Sequence, residues 1–180
     1  MQYLMAALVF VLAWSVASAA PSAAGSPPAA IAELVQRDEL PAGVALEIVE
    51  NDRTALSALL PRIRASIRTL HTRNPDLPIV LVTHGAEQFS LARGAAGQDT
   101  LRAEIEALVL EDGVNIAVCG TFAGWRDLDE AAFPDFVDVT PAAPERLDEL
   151  REAGYSVVRL RPSRLDHPAQ DPWEFDFHGR

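Results

Sequence analysis

The sequence predicts an α/β fold: a three-layer αβα arrangement around a five-stranded, mostly parallel sheet. Three observations carry it. Short apolar runs recur at 44–49, 79–82, 114–118, 136–139 and 155–160, and runs apolar on both faces suit central parallel strands covered by helices. Stretches with helical periodicity separate them, and that alternation implies βαβ units with right-handed crossovers. Pro and Gly fall at the boundaries between the two patterns.

The elements follow in order. Val44-Ala-Leu-Glu-Ile-Val49 is the first strand, and Asp52-Arg-Thr54 opens a helix. Leu56, Leu59, Leu60, Ile63, Ile67 and Leu70 then recur at three- and four-residue steps, which makes one apolar stripe. Pro61 interrupts that stripe and predicts a kink or a late start, because it removes a helical hydrogen bond. A turn at 74–78 leads to Ile79-Val-Leu-Val82, which ends in Thr83-His84-Gly85. After a loop carrying Gly94 and Gly97, Leu101, Ile105, Leu108 and Val109 mark a helix closed by Gly113 as its left-handed terminator. The third strand, 114–118, runs into Cys119, and a glycine-containing loop with a short helix around 127–132 follows. Phe136-Val-Asp-Val139 is the fourth strand. Pro144 and Gly154 bracket a helix at 145–153, the usual proline-first, glycine-last asymmetry. Tyr155-Ser-Val-Val-Arg-Leu160 is the fifth strand.

The organisation expected from this is a signal peptide at 1–19, a flexible tether and lead-in at 20–43, the α/β domain at 44–160 and a tail at 161–180, with the fold itself starting near Ile31 or Val44. Tyr3 to Val16 is an apolar run of 14 residues followed by Ala17-Ser-Ala19, a small-x-small cleavage pattern. The expectation is a periplasmic or secreted protein, with no membrane contact after cleavage. The alternative is an uncleaved anchor, since the run extends through Ala20 to 18 residues. Residues 21–30 are rich in Ala, Ser and Pro and bury too little apolar surface to offset their ordering entropy. In the tail, Trp173, Phe175 and Phe177 alternate with Glu174, Asp176 and His178. It reads either as a disordered end or as an arm that docks on its own sheet or a neighbouring subunit.

Charge excludes one class of partner. The net charge is −11, with 15 arginines and no lysine, and an acidic surface opposes nucleic-acid backbones. No cofactor is indicated: Gly94 and Gly97 lack the strand-then-helix setting of a dinucleotide fingerprint. No metal site is indicated either, because His71, His84, His167 and His178 are scattered. Cys119 is the only cysteine, so no internal disulfide can form. It stands at the carboxyl end of a strand, where open α/β sheets place ligand chemistry. A lone thiol there is reactive, or inert as a small buried hydrophobe.

Three pieces together, Val44 to Val49, Leu81-Val-Thr-His84-Gly85 and Gly113-Val-Asn-Ile-Ala-Val-Cys119-Gly120-Thr121, resemble the DsrE/DsrF-like family. Glu149-Leu-Arg-Glu-Ala-Gly154-Tyr155 before the last strand matches as well, so the resemblance covers most of residues 44–160. It implies a five-stranded parallel sheet and homo-oligomers. It also implies, at the position of Cys119, a cysteine that carries sulfur as a persulfide and exchanges it with donor or acceptor proteins. A signal peptide and a C-terminal tail depart from cytoplasmic family members that act in sulfur oxidation and tRNA thiolation.

A persulfide carrier needs an ionisable thiol in an electropositive setting. The residues expected to supply that setting are the amides of Gly120 and Thr121, the Arg126 cation, and His84 as acid/base at the same sheet edge. His84 reads equally as a hydrogen-bonded strand-end histidine. Phe122, Trp125 and Phe133 exceed what one small sheet needs for cover and point to self-association. The alternative function is a non-catalytic interaction or small-ligand module on the same fold, with Cys119 inert.

Overall fold

The computed structural model describes residues 25–162, so the signal-peptide segment and residues 163–180 of the tail lie outside it. Five strands form one sheet: β1 (Gly43–Ile48), β2 (Ile79–Thr83), β3 (Asn115–Cys119), β4 (Val137–Thr140) and β5 (Tyr155–Leu160). Their order is β4-β3-β2-β1-β5, and every neighbouring pair is parallel. The helices are α1 (Ala29–Leu34), α2 (Ala55–Arg73), α3 (Asp99–Asp112), α4 (Gly120–Gly124) and α5 (Ala143–Glu152). No helix among the described residues is long and apolar enough to cross a membrane.

The two sheet faces are built differently. Val44, Leu46, Ile48, Ile79, Leu81, Ile116 and Val118 pack against α1, α2 and α3 in the larger core. On the opposite face, the smaller Ala45, Ala117 and Cys119, with Val80 and Val82, meet Ala143, Leu147 and Leu150 of α5. Helices on both faces make this a three-layer α/β fold, as the strand–helix alternation predicts.

Gly113 ends α3 with φ 65°, and Gly154 follows α5 with φ 85°. The left-handed region is open to glycine without steric cost, which is why both boundaries were readable. Pro61 lies inside α2, and the helix starts at Ala55 ahead of it, so the late start does not occur. Proline is tolerated there because its side chain faces solvent while Leu59, Leu60 and Ile63 around it are buried.

Of the two fold starts the sequence allows, the structure has the one near Ile31: α1 buries Ile31 and Leu34 in the larger core, a three-residue spacing that puts both on one helical face. Two segments differ from the sequence reading. After β2, Ala86–Leu91 is a buried 3-10 helix rather than open loop. After Cys119, the chain enters α4 directly. Where a helix was expected around 127–132, Asp127 turns with φ 56° and only Glu130–Ala132 is helical, as one 3-10 turn.

Candidate functional site

All strands run one way, so the loops after β1, β2 and β3 meet at one edge. Glu47 follows Ala45 by two residues and shares its face; His84 follows Val82, and Cys119 follows Ala117. Glu47, His84 and Cys119 therefore share the α5 face at the carboxyl edge. Thr83 pairs with Val118, and His84 N–H still donates to Ile48 O at 3.1 Å. The ladder ends at the Thr83–Val118 pair, with His84 and Cys119 the next residue of each strand and the Gln88 side chain taking the backbone groups of Cys119.

His84 Nε2 lies 3.0 Å from Glu47 Oε1, and both side chains are 16% exposed. The hydrogen bond from His84 holds the Glu47 carboxyl below its ordinary value, against desolvation, with the charges of His84, Arg159 and Arg151 helping. Sequence reasoning took Glu47 for part of an apolar strand. A charged residue inside such a run, with a histidine closing the adjacent strand, was the signal that could have found the pair.

Cys119 is 6% exposed and belongs to one buried cluster with Ala117, Ala143 and Leu147, against which Phe122 packs. Its backbone is held by one side chain. Gln88, fully buried in the 3-10 helix after β2, accepts from Cys119 N–H at 2.9 Å and donates Nε2–H to Cys119 O at 3.4 Å. A buried amide and carbonyl need such partners, and this clamp fixes where β3 ends. Nothing in the sequence pattern singled out Gln88.

Its neighbour Glu87 is equally buried. Glu87 accepts from Thr83 Oγ1–H, from Gly85 N–H at 2.9 Å and from Glu50 N–H at 2.8 Å, so one carboxyl ties the loop after β1 to the loop after β2. Gly85 is dictated by contact: a Cβ there would stand 2.5 Å from Glu50 N and closer still to Glu50 O and Glu87 Oε2.

Of the other expected contributors, Thr121 and Arg126 have partners of their own. Thr121 N–H donates to Pro141 O at 3.0 Å and its hydroxyl to the same oxygen at 2.8 Å, so that amide is engaged by the loop before α5. Arg126 lies over aromatic rings, with its guanidinium carbon 5.5 Å from the Phe89 centroid and 5.9 Å from that of Phe122. Arg53 reaches Phe89 from the loop after β1, at 5.4 Å. Phe122 stacks tilted on Phe89 at 5.3 Å and edge-on to Trp125 at 5.7 Å. Trp125 is 74% exposed, whereas Phe133, expected to be surplus surface, is buried in the core.

Two clefts, of about 760 and 490 Å³, open beside Arg102 and Phe136 and beside Asn115 and Arg146. Neither is lined by Cys119 or His84. Among the described residues, no group of three or more His, Cys, Asp and Glu side chains is placed to hold a metal.

Fold and edge geometry define a class: a small all-parallel α/β domain with a single thiol at the end of its third strand. Solved structures share the fold, a likeness of backbone that says nothing of the thiol. MTH1491, a protein of unknown function from Methanobacterium thermoautotrophicum, superposes with a TM-score of 0.53 at 18% identity, over 65% of this chain and 97% of its own. The ychN protein from E. coli gives 0.50 at 16% identity, over 66% and 99%. At these identities the likeness is one of fold. No protein-family model matches the chain, and no curated protein matches it.

Proposed function

We propose that this protein is a DsrE-like sulfur carrier in which Cys119 accepts sulfane sulfur with the Glu47–His84 pair as its proton relay. The observation that carries the reading is the placement of Glu47, His84 and Cys119 on one face at one sheet edge. The DsrE/DsrF-like resemblance of the sequence and the fold shared with MTH1491 and the ychN protein support it.

The chemistry balances without a redox partner. His84 Nε2 is engaged by Glu47, which leaves Nδ1 to take the Cys119 thiol proton; Glu47 orients the ring and stabilises its cation. The thiolate attacks the outer sulfur of a donor persulfide, R–S–SH. The new S–S bond forms as the donor S–S bond breaks, giving Cys119–S–SH and R–S⁻. The histidinium returns its proton to R–S⁻.

The carrier is exported by its N-terminal apolar segment, and it self-associates through surface that α5 leaves half-covered, including Tyr155 and Val157. Static light scattering tests the association; a monomer at micromolar concentration refutes it.

A second reading is favoured by burial. At 6% exposure and outside both of those clefts, Cys119 suits an inert core position in an interaction module. One experiment separates the two. Native protein is incubated with inorganic polysulfide and weighed by mass spectrometry. The carrier gains the mass of one sulfur, lost again on reduction and absent in Cys119→Ser. A thiol that stays unmodified, and that iodoacetamide reaches only after denaturation, establishes the interaction module.

A further inference from the structure

We propose that the C-terminal segment of this chain, residues 171–177 (Asp-Pro-Trp-Glu-Phe-Asp-Phe), docks on a cation-flanked aromatic platform at the carboxyl edge of its own sheet. The platform is the exposed Trp125 and the half-buried Phe122, backed by the buried Phe89 in sequential ring contact, with Arg53 over the Phe89 ring and Arg126 over Phe89 and Phe122. Trp125 leaves 74% of its surface in solvent, a large apolar group without cover. Neither Arg53 nor Arg126 forms an ion pair among the described residues. These two free cations stand on a chain whose net charge is −11.

Charge and composition select the occupant. Residues 171–177 carry three carboxylates, three aromatic rings and no cation. In an extended segment Asp171, Trp173, Phe175 and Phe177 project to one side and Glu174 and Asp176 to the other. The ring side meets the platform rings and guanidinium groups, and Asp171 on that side lies within reach of the two arginines.

The path is short. β5 ends at Leu160 at the same edge as the platform, because all strands are parallel. Arg62 Nη1 donates to Arg161 O at 2.7 Å and fixes the exit. From β5 to β3 is three strand spacings, about 14 Å. The chain from 161 to 172 spans up to about 40 Å when extended. The segment therefore reaches its own platform without a second copy.

Chymotrypsin cleavage of the full chain after Trp173, Phe175 and Phe177, timed by mass spectrometry, tests this, with a synthetic peptide of residues 163–180 as the unprotected reference. Docking makes these bonds at least about tenfold slower in the protein than in the peptide, since cleavage tracks the open population. Trp125→Ala/Arg126→Glu then restores the peptide rate. If circular dichroism shows that this variant misfolds, the exposed Arg53→Glu carries the test, with cleavage expected to accelerate several-fold. Cleavage of the parent at the peptide rate overturns the proposal, as does protection that persists in the folded platform variants. Protection that rises with protein concentration overturns docking on its own chain in favour of a second copy.

Discussion

Gly85→Ala tests the loop architecture that holds the candidate site. The φ of Gly85 is −102° and its ψ −162°, a conformation any residue adopts, so the cost of a methyl group is purely one of space. The new Cβ would stand 2.5 Å from Glu50 N and inside contact distance of Glu50 O and Glu87 Oε2. Two of those atoms are backbone, so no flexible side-chain end can simply swing away. The loop after β2 must part from the loop after β1. Three hydrogen bonds hang on that approach: Ala86 N–H to Glu50 O at 2.7 Å, Glu50 N–H to Glu87 Oε2 at 2.8 Å, and Gly85 N–H to Glu87 Oε1 at 2.9 Å. Each is worth about 1 kcal/mol net, and a buried group left unmade costs about 1–3 kcal/mol. Loss of two or three gives a destabilisation of about 3–5 kcal/mol. With a urea m-value of about 2 kcal/mol/M, the midpoint falls by about 2 M. Gly94→Ala is the comparison, since Gly94 has φ 83° and open space around its Cα; it costs only conformational strain, about 1 kcal/mol. A Gly85→Ala midpoint within about 0.5 M of the parent, or one no lower than that of Gly94→Ala, refutes the steric reasoning.

Other substitutions probe the site from different sides. Gln88→Ala strips Cys119 N–H and O of their partner and costs about 2–4 kcal/mol in urea unfolding, with faster iodoacetamide labelling of Cys119; unchanged stability and labelling would show that the clamp is idle. Glu47 contributes to stability through its depressed carboxyl. Because the folded-state value lies below the unfolded one, that contribution is full above the ordinary value of 4.5 and is lost as pH falls through the folded value. Glu47→Gln should therefore narrow its stability gap to the parent as pH drops below 4.5, and a gap constant with pH would count against the pairing with His84. Pro61→Ala restores a missing bond within α2 and raises stability by about 1–3 kcal/mol, the helix-interior cost of proline less its unfolded-state benefit. A thermal midpoint that does not rise would mean α2 already accommodates the ring without cost.

The sheet was legible because its signals are local. Each strand is a short Val, Ile and Leu run, and the glycines at 113 and 154 occupy left-handed positions that few other residues tolerate. The 3-10 helix at 86–91 was not legible, since Glu87, Gln88 and Ser90 are polar residues with no exposure to advertise. They are buried because they answer backbone groups of distant loops, at Glu50 and Cys119, and no sequence window contains both partners. The same holds for the Glu47–His84 pair, separated by 37 residues. Cys119 and His84 could be placed at the edge from strand ends alone. Arg126 could be placed in the following loop, but its direction depends on Phe89 and Phe122, whose positions follow from tertiary packing.

The asymmetry of the two sheet faces explains why polar chemistry collects where it does. One face carries Leu46, Ile48, Leu81, Ile116 and Val118 beneath three helices, and burying one such side chain contributes about 1.5–3 kcal/mol. That face can hold the fold together without help. The other carries Ala45, Ala117 and Cys119, with Val80 and Val82, beneath α5 and Phe122 of α4. Small side chains let a ten-residue helix settle close to the sheet, and a helix that short leaves the carboxyl edge of its face partly open. Glu47 and His84 occupy that open margin at 16% exposure, wet enough to avoid the desolvation cost of a buried ion pair and dry enough for their hydrogen bond to shift the carboxyl. Cys119 lies one strand beyond His84, in the cluster against which Phe122 packs. Movement of the five-residue α4 that carries Phe122, an element anchored by Thr121 to Pro141 O, therefore offers a route to the thiol. Thr121→Ala loosens that anchor without touching Glu47, His84 or Cys119. It should speed both polysulfide modification and iodoacetamide labelling of Cys119 by about tenfold, the effect of a 1.4 kcal/mol smaller opening cost. Equal rates in the parent and in Thr121→Ala would place the route to the thiol elsewhere on the edge.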